Sequence, residues 1–158
     1  MIDERVAKLL VEQIGIELGA HQQYLGISLW FERQSLSGWA RLFRDQALEE
    51  ARHAEKIIGY LIDNDVRFDL PALKSATTRY ASAKAAVETS LASEVAVTAR
   101  FDALATAARD AGDPRSLQFL QWFIDEQVEE ERTARSLLDL IDSGINLFQA
   151  EPLLKDRG

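Results

Sequence analysis

A chain of 158 residues, 47% of them apolar, can bury a sizeable core within one domain and is too apolar to stay disordered. Its net charge of −8 speaks against a nucleic-acid footprint, which would be basic, and leaves a solubilising or cation-attracting surface. The lack of cysteine excludes disulfides, thiolate zinc sites and iron–sulfur clusters and fits a reducing cytoplasm, and no apolar run approaches the roughly 20 residues of a membrane span.

The chain opens with Asp3, Glu4 and Arg5 where a signal peptide needs a basic region and then an apolar run, so no such segment is expected. Asp3 instead caps a first predicted helix running to about Arg33, with Val6, Leu10, Ile14, Glu17, His21, Tyr24, Ser28 and Phe31 along one stripe. Ser35 to Gly38 forms a short turn. A second helix then runs to about Asn64 and aligns Leu42, Phe43, Gln46, Glu50, His53, Ile57 and Leu61. From Asp65 to about Ser82 the period is lost and Pro71 intervenes, which predicts a long crossover connection. A third helix to about Ala111 carries Val87, Leu91, Glu94, Thr98, Phe101 and Ala108. Gly112-Asp113-Pro114 breaks it, with Asp113 as cap and Pro114 opening a fourth helix to about Asp142. That helix aligns Leu120, Ile124, Gln127, Glu130, Ala134 and Ile141. After Gly144, the apolar Ile145, Leu147, Phe148, Leu153 and Leu154 predict a short fifth helix. The fold class is therefore all-α: a four-helix bundle of two hairpins joined by one long crossover between the second and third helices, spanning residues 1–158 as a single domain.

Polar residues stand in the apolar stripes. Glu17, Glu50, His53, Glu94, Gln127 and Glu130 all face inward in this reading, and no lysine or arginine joins them there. An unpaired buried charge costs several kcal/mol, so these groups must hold protons, pair, or bind a cation. Their spacing repeats. Glu17 lies 33 residues before Glu50 and 36 before His53, and Glu94 lies 33 before Gln127 and 36 before Glu130. A shift of 77 superposes the two sets and also maps Leu10 on Val87, Ile14 on Leu91, Tyr24 on Phe101 and Phe43 on Leu120. Each half thus offers one ligand from its first helix and an i, i+3 pair from its second, which share a helix face. Two halves around an approximate two-fold axis make a site for two metals. Carboxylates with a single imidazole are hard donors that point to iron or manganese, and an anionic set favours Fe(III) over Fe(II).

The strings GIELGAHQQYL around Glu17, LEEARHAEKI around Glu50 and His53, and FLQWFIDEQVEEE around Gln127 and Glu130 resemble the ferritin family over nearly the whole chain. FLQWF followed by EQVEEE resembles the bacterial non-haem ferritins in particular, and GINLFQAEPLL resembles their short fifth helix. The resemblance implies a ferroxidase centre. Glu17 and His53 would hold one iron, Glu94 and Glu130 the other, and Glu50 would bridge them, with Gln127 a nearby weak ligand. It also implies a third, weaker iron site at Glu49, Glu126 and Glu129, and a tyrosine, Tyr24, that hydrogen-bonds a ligand or donates an electron. No haem is expected. The methionine that binds it in bacterioferritins corresponds to Arg52, and the second Glu-x-x-His of those proteins ends here in Glu130. His21 departs from the family pattern and reads as a hydrogen-bonded residue at the bundle seam.

Together the inward-facing donors and the resemblance imply an iron-storage subunit that oxidises Fe(II) with O2 or H2O2 and deposits Fe(III) mineral. The resemblance also implies a cytoplasmic homo-oligomer of 24 subunits forming a hollow cage. Leu117-Gln118-Phe119-Leu120 holds no carboxylate where animal ferritins line a three-fold iron channel, which puts that entry path in doubt. Tyr24, Leu25, Ile27, Leu29, Trp30 and Phe31 cover more of the first helix than one core stripe, as assembly requires. Two alternatives are a di-iron peroxide scavenger without storage and a metal-free helical scaffold.

Overall fold

The computed structural model describes residues 2–156. Four long helices form the bundle: α1 Glu4–Arg33, α2 Ser37–Asp63, α3 Ala83–Asp110 and α4 Pro114–Asp142. A short α5, Leu147–Ala150, runs into a 3₁₀ turn, Glu151–Asp156, which packs back on α2. Among the described residues no helix is long and apolar enough to cross a membrane. The ends lie where the local chemistry places them. Asp3 accepts hydrogen bonds from the Arg5 and Val6 amides, Ser82 from Ala85, Asp113 from Ser116, and Asn146 from Phe148 and Gln149. Gly112 and Gly144 take left-handed backbone, with φ of 65° and 78°, immediately after α3 and α4.

α1 pairs with α2 and α3 with α4, each across a tight turn, and α1 also packs on α3. The crossover over residues 64–82 lies against α1 without regular structure. Two glycines admit it. A β-carbon on Gly26 would overlap the Thr77 carbonyl oxygen, and one on Gly15 would come within 2.9 Å of the Pro71 side chain.

The apolar core is divided in two. One half gathers Val6, Leu10, Ile14, Ile57, Leu61, Phe101, Leu120 and Phe123. The other gathers Ile27, Phe31, Trp39, Phe43, Val87 and Leu137. On each helix the predicted inward-facing polar residues are buried between the segments that feed these halves: Glu17 on α1, Glu50 and His53 on α2, Glu94 on α3, Gln127 and Glu130 on α4. The 77-residue repeat therefore folds into one polar layer across the middle of the bundle.

Candidate metal centre

All six inward-facing polar residues are buried, Glu17 completely so at 0% exposure and Glu130 least so at 5%. Five of them form two overlapping triads, Glu17–Glu50–His53 and Glu50–Glu94–Glu130, each with one donor atom per residue within 4.8 Å of the others. Glu50 belongs to both. A third group, His53–Glu126–Glu130, meets the same criterion and leads outward, since Glu126 is only half-buried. The i, i+3 spacing on α2 and α4 turns each pair to one side of its helix. His53 Nδ1 lies 3.2 Å from Glu50 Oε2 and 3.7 Å from Glu17 Oε2. Glu17 Oε2 is buried and has no hydrogen-bond partner among the described residues. An orphaned carboxylate oxygen facing an imidazole nitrogen is what a cation between them would satisfy.

Protonation follows from crowding. Burial, the shared hydrogen bond with Glu17 and the charges of Glu94, Glu17 and Glu130 raise Glu50 well above the ordinary carboxylate range. Burial likewise raises Glu94, although Tyr24 and Gln127 donate to it. Glu130 is pushed up to about 9 by burial, then by the charges of Glu94 and Glu49. Glu17 departs from the simple expectation that four crowded glutamates all rise. Burial pushes it up, but the polar groups of His53, Glu50 and Gln13 outweigh that and hold it below its ordinary value. Burial would lower His53, yet Glu17, Glu130 and Glu126 raise it. Burial and crowding thus strengthen the hold of Glu50, Glu94 and Glu130 on a proton, and a bound cation would work against that hold.

The remaining sequence candidates are also placed. Tyr24 donates to Glu94 Oε1 at 2.5 Å, and its phenol is raised well above its usual value by burial, then by Glu94 and Glu50. Gln127 Nε2 donates to Glu94 Oε2 at 3.1 Å. Glu49 is half-buried and interacts with Glu130, while Glu129 is exposed, 3.8 Å from Arg132, and joins none of the three groups. The outer cluster therefore runs through Glu49, Glu126 and Glu130. His21 Nδ1 hydrogen-bonds the Ala47 carbonyl at 2.6 Å, across the α1–α2 seam. A lateral cavity of about 250 Å³ opens at Glu49, Arg52, His53, Lys56, Trp122 and Glu126. There Lys56 Nζ sits 3.6 Å over the Trp122 ring, and Trp122 meets His53 edge-on at 5.5 Å.

Gln13, Arg100 and Glu131 lie outside the predicted stripes, and Thr98 lies in one without being read as part of the site. Gln13 donates to Glu17 Oε1 at 2.9 Å and itself accepts from Arg100 Nε at 3.0 Å. Thr98 accepts from Gln127 at 3.2 Å and donates to Glu131 at 2.7 Å. Gln13 and Thr98 do follow the helical period, but neutral polar side chains carry no signal of what they touch.

The family model described as a ferritin-like domain matches residues 7–143. The protein named ferritin BfrB in Mycolicibacterium smegmatis is 37% identical over 151 residues, covering 95% of this chain and 83% of the relative. A probable bacterial non-heme ferritin-like protein of Haemophilus influenzae is 31% identical over 142 residues, covering 90% of this chain and 86% of its own. The crystal structure of an open pore ferritin from the archaeon Archaeoglobus fulgidus superposes with a TM-score of 0.94 at 30% identity, covering 100% of both chains. The all-α bundle, the buried carboxylate layer and these likenesses agree, and the chain belongs to the ferritin family, among the bacterial ferritins.

Proposed function

We propose that this chain is an iron-storage subunit with a ferroxidase centre inside a single ferritin-like domain. The observation that carries the reading is Glu50, the one residue common to both buried triads. Fe(II) is the substrate. Glu17 and His53 take one ion, Glu94 and Glu130 the other, and Glu50 spans both. Each pair of ions gives two electrons to dioxygen, yielding hydrogen peroxide with two protons, or to hydrogen peroxide, yielding two waters with two protons. Ion binding displaces protons from the carboxyls that burial has made harder to ionise, and the resulting anionic set favours Fe(III). Tyr24 and Gln127 keep Glu94 oriented, with Gln127 a neighbour and weak ligand. Glu49 and Glu126 extend the centre toward the lateral cavity as a third, weaker iron site, with Glu129 at its exposed margin.

The family likeness supports a homo-oligomeric cage, of 24 subunits and cytoplasmic in our reading, and that reading includes no haem, membrane or nucleic-acid partner. Arg52 is exposed and offers no thioether to a haem iron. The test is iron stoichiometry after aerobic addition of Fe(II), with electron microscopy of the product. Storage requires many more irons per subunit than the centre can hold, inside an electron-dense shell. Uptake that stops at two or three irons per subunit would leave oxidation without storage and overturn the reading.

A further inference from the structure

We propose that Arg100 and the Thr98–Glu131 pair are positioning residues, each locking one glutamine amide so that its nitrogen grips an outer carboxylate of the centre. The inference rests on the metal-centre reading above.

The two clamps are built alike at their inner ends. Gln13 Nε2 donates to Glu17 Oε1 at 2.9 Å, and Gln127 Nε2 donates to Glu94 Oε2 at 3.1 Å. In each case the amide must present nitrogen, because its oxygen against a carboxylate would be repulsive and unpaired. An amide can turn over by half a rotation with little change in shape, so something outside must choose the face. On the α1 side the choice is made by a cation. Arg100 Nε donates to Gln13 Oε1 at 3.0 Å, and a guanidinium can only donate, so it holds the oxygen end. Arg100 Nη2 in turn lies 3.8 Å from Glu12 Oε2.

On the α4 side the Glu94 backbone carbonyl, an acceptor only, takes Gln127 Nε2 at 3.2 Å, and an anion acting through a hydroxyl reinforces that choice. Thr98 has one proton to give. The Glu131 carboxylate takes it at 2.7 Å, closer than the Glu94 carbonyl at 3.0 Å. Its proton committed, the Thr98 oxygen accepts from Gln127 Nε2 at 3.2 Å. A turned-over Gln127 would set its oxygen against both the Glu94 carboxylate and a hydroxyl without a free proton. Arg135 Nη2 holds the other oxygen of Glu131 at 2.7 Å, with side-chain exposures of 58% and 15%. A charge outside the polar layer thus helps to orient each amide, and the amide orients each carboxylate. The two charges have opposite sign because one acts on the amide oxygen and the other, through a hydroxyl, on the amide nitrogen.

The test uses zinc as probe on the assembled protein. Metal-free crystals are soaked in sub-saturating zinc, and anomalous occupancy is read at the Glu17–His53 and Glu94–Glu130 positions, beside a solution titration. Loss of such outer hydrogen-bond partners typically weakens metal binding about tenfold or more. Thr98→Val should therefore lower affinity by about that factor at Glu94–Glu130 alone, and Thr98→Ser should restore it. Arg100→Met should do the same at Glu17–His53 alone. Equal loss in the valine and serine variants, or equal loss at both positions from either change, would show packing damage and overturn the clamps. Unchanged occupancy in variants whose parent binds two zinc ions would overturn them while sparing the centre. A parent that binds zinc at neither position would overturn both.

Discussion

Without metal, the protein should lose stability as pH rises from 5 to 7. Glu130 carries the magnitude. Its carboxyl titrates at 4.5 when free and at about 9 in the folded chain. Between these values the folded chain keeps a proton that the unfolded chain has released. Raised folded values mean stability that is full at low pH and lost on the way up. Each pH unit in the window costs about 1.4 kcal/mol per retained proton, so the step from pH 5 to pH 7 costs about 2.5 kcal/mol per subunit from Glu130 alone. Any folded value above about 8 gives the same loss by pH 7. Glu50 and Glu94 are raised too and act in the same direction, and His53, raised above 6.5, adds its own loss near neutrality. Glu17 is lowered below 4.5, so its contribution disappears only as pH falls through the acid range, outside the window. For a chain of this length, about 2.5 kcal/mol corresponds to a melting shift of roughly 5–10 °C. The assay is a melting series on metal-free protein at fixed salt and concentration, with assembly checked by size exclusion at each pH. Zinc-loaded protein should lose much less, because the ion favours the charged carboxylates. Glu130→Gln, which has no proton to keep, should flatten the metal-free slope. A metal-free stability that stays level or rises from pH 5 to 7, or an unchanged slope in Glu130→Gln, would refute the buried-acid account.

Other consequences can be measured separately. Glu50→Ala should slow Fe(II) oxidation at two ions per subunit at least about tenfold more than Glu129→Ala, since Glu50 joins both triads and Glu129 joins neither; stopped-flow rates that match would remove the bridging role. Protein purified from haem-replete cells should show no Soret band after washing, and a retained band would contradict the reading of Arg52. Gly26→Ala should destabilise by about 1–3 kcal/mol, because the new methyl meets the Thr77 backbone carbonyl rather than a movable side chain. Gly59→Ala, which meets nothing within 4 Å, should instead stabilise by up to about 1 kcal/mol through helix propensity, and denaturant melts would tell the two apart.

The helices and the inward placement of the candidate site residues were legible because both obey rules local to one helix. Asp3, Ser82 and Asp113 cap where their side chains can reach the first free amides, and the 3.6-residue period keeps Glu50 with His53 and Gln127 with Glu130. The burial of those residues followed from their company, since Ile57 and Leu61 share the stripe with Glu50 and His53. Contacts set by the rotation and register of separate helices were not legible. Arg100 reaches Gln13 across 87 residues and Thr98 reaches Glu131 across 33, and nothing in either segment announces its partner. The family resemblance does not by itself show which outer glutamates turn toward the centre. Glu130 points inward, and a single helical step of about 100° carries its neighbour Glu129 out to Arg132. The crossover was recognised by its lost period and Pro71, but its seating on Gly15 and Gly26 depends on backbone approach that no periodicity encodes.

The divided core also bears on how anything could reach the buried polar layer. Apolar plugs close the bundle above and below it, with Leu10, Ile57, Phe101 and Phe123 on one side and Phe31, Trp39, Phe43 and Leu137 on the other. All eight are almost wholly sealed from solvent. A hydrated ion cannot shed its water to slip between stacked phenyl rings, so travel along the bundle axis is barred in both directions. The layer behaves as a compartment with corks at both ends and a side door, where Glu49 and Glu126 stand at the threshold and Trp122 forms the jamb. Under the proposed function, an ion would cross the width of the subunit, and the length of the helices would serve as insulation.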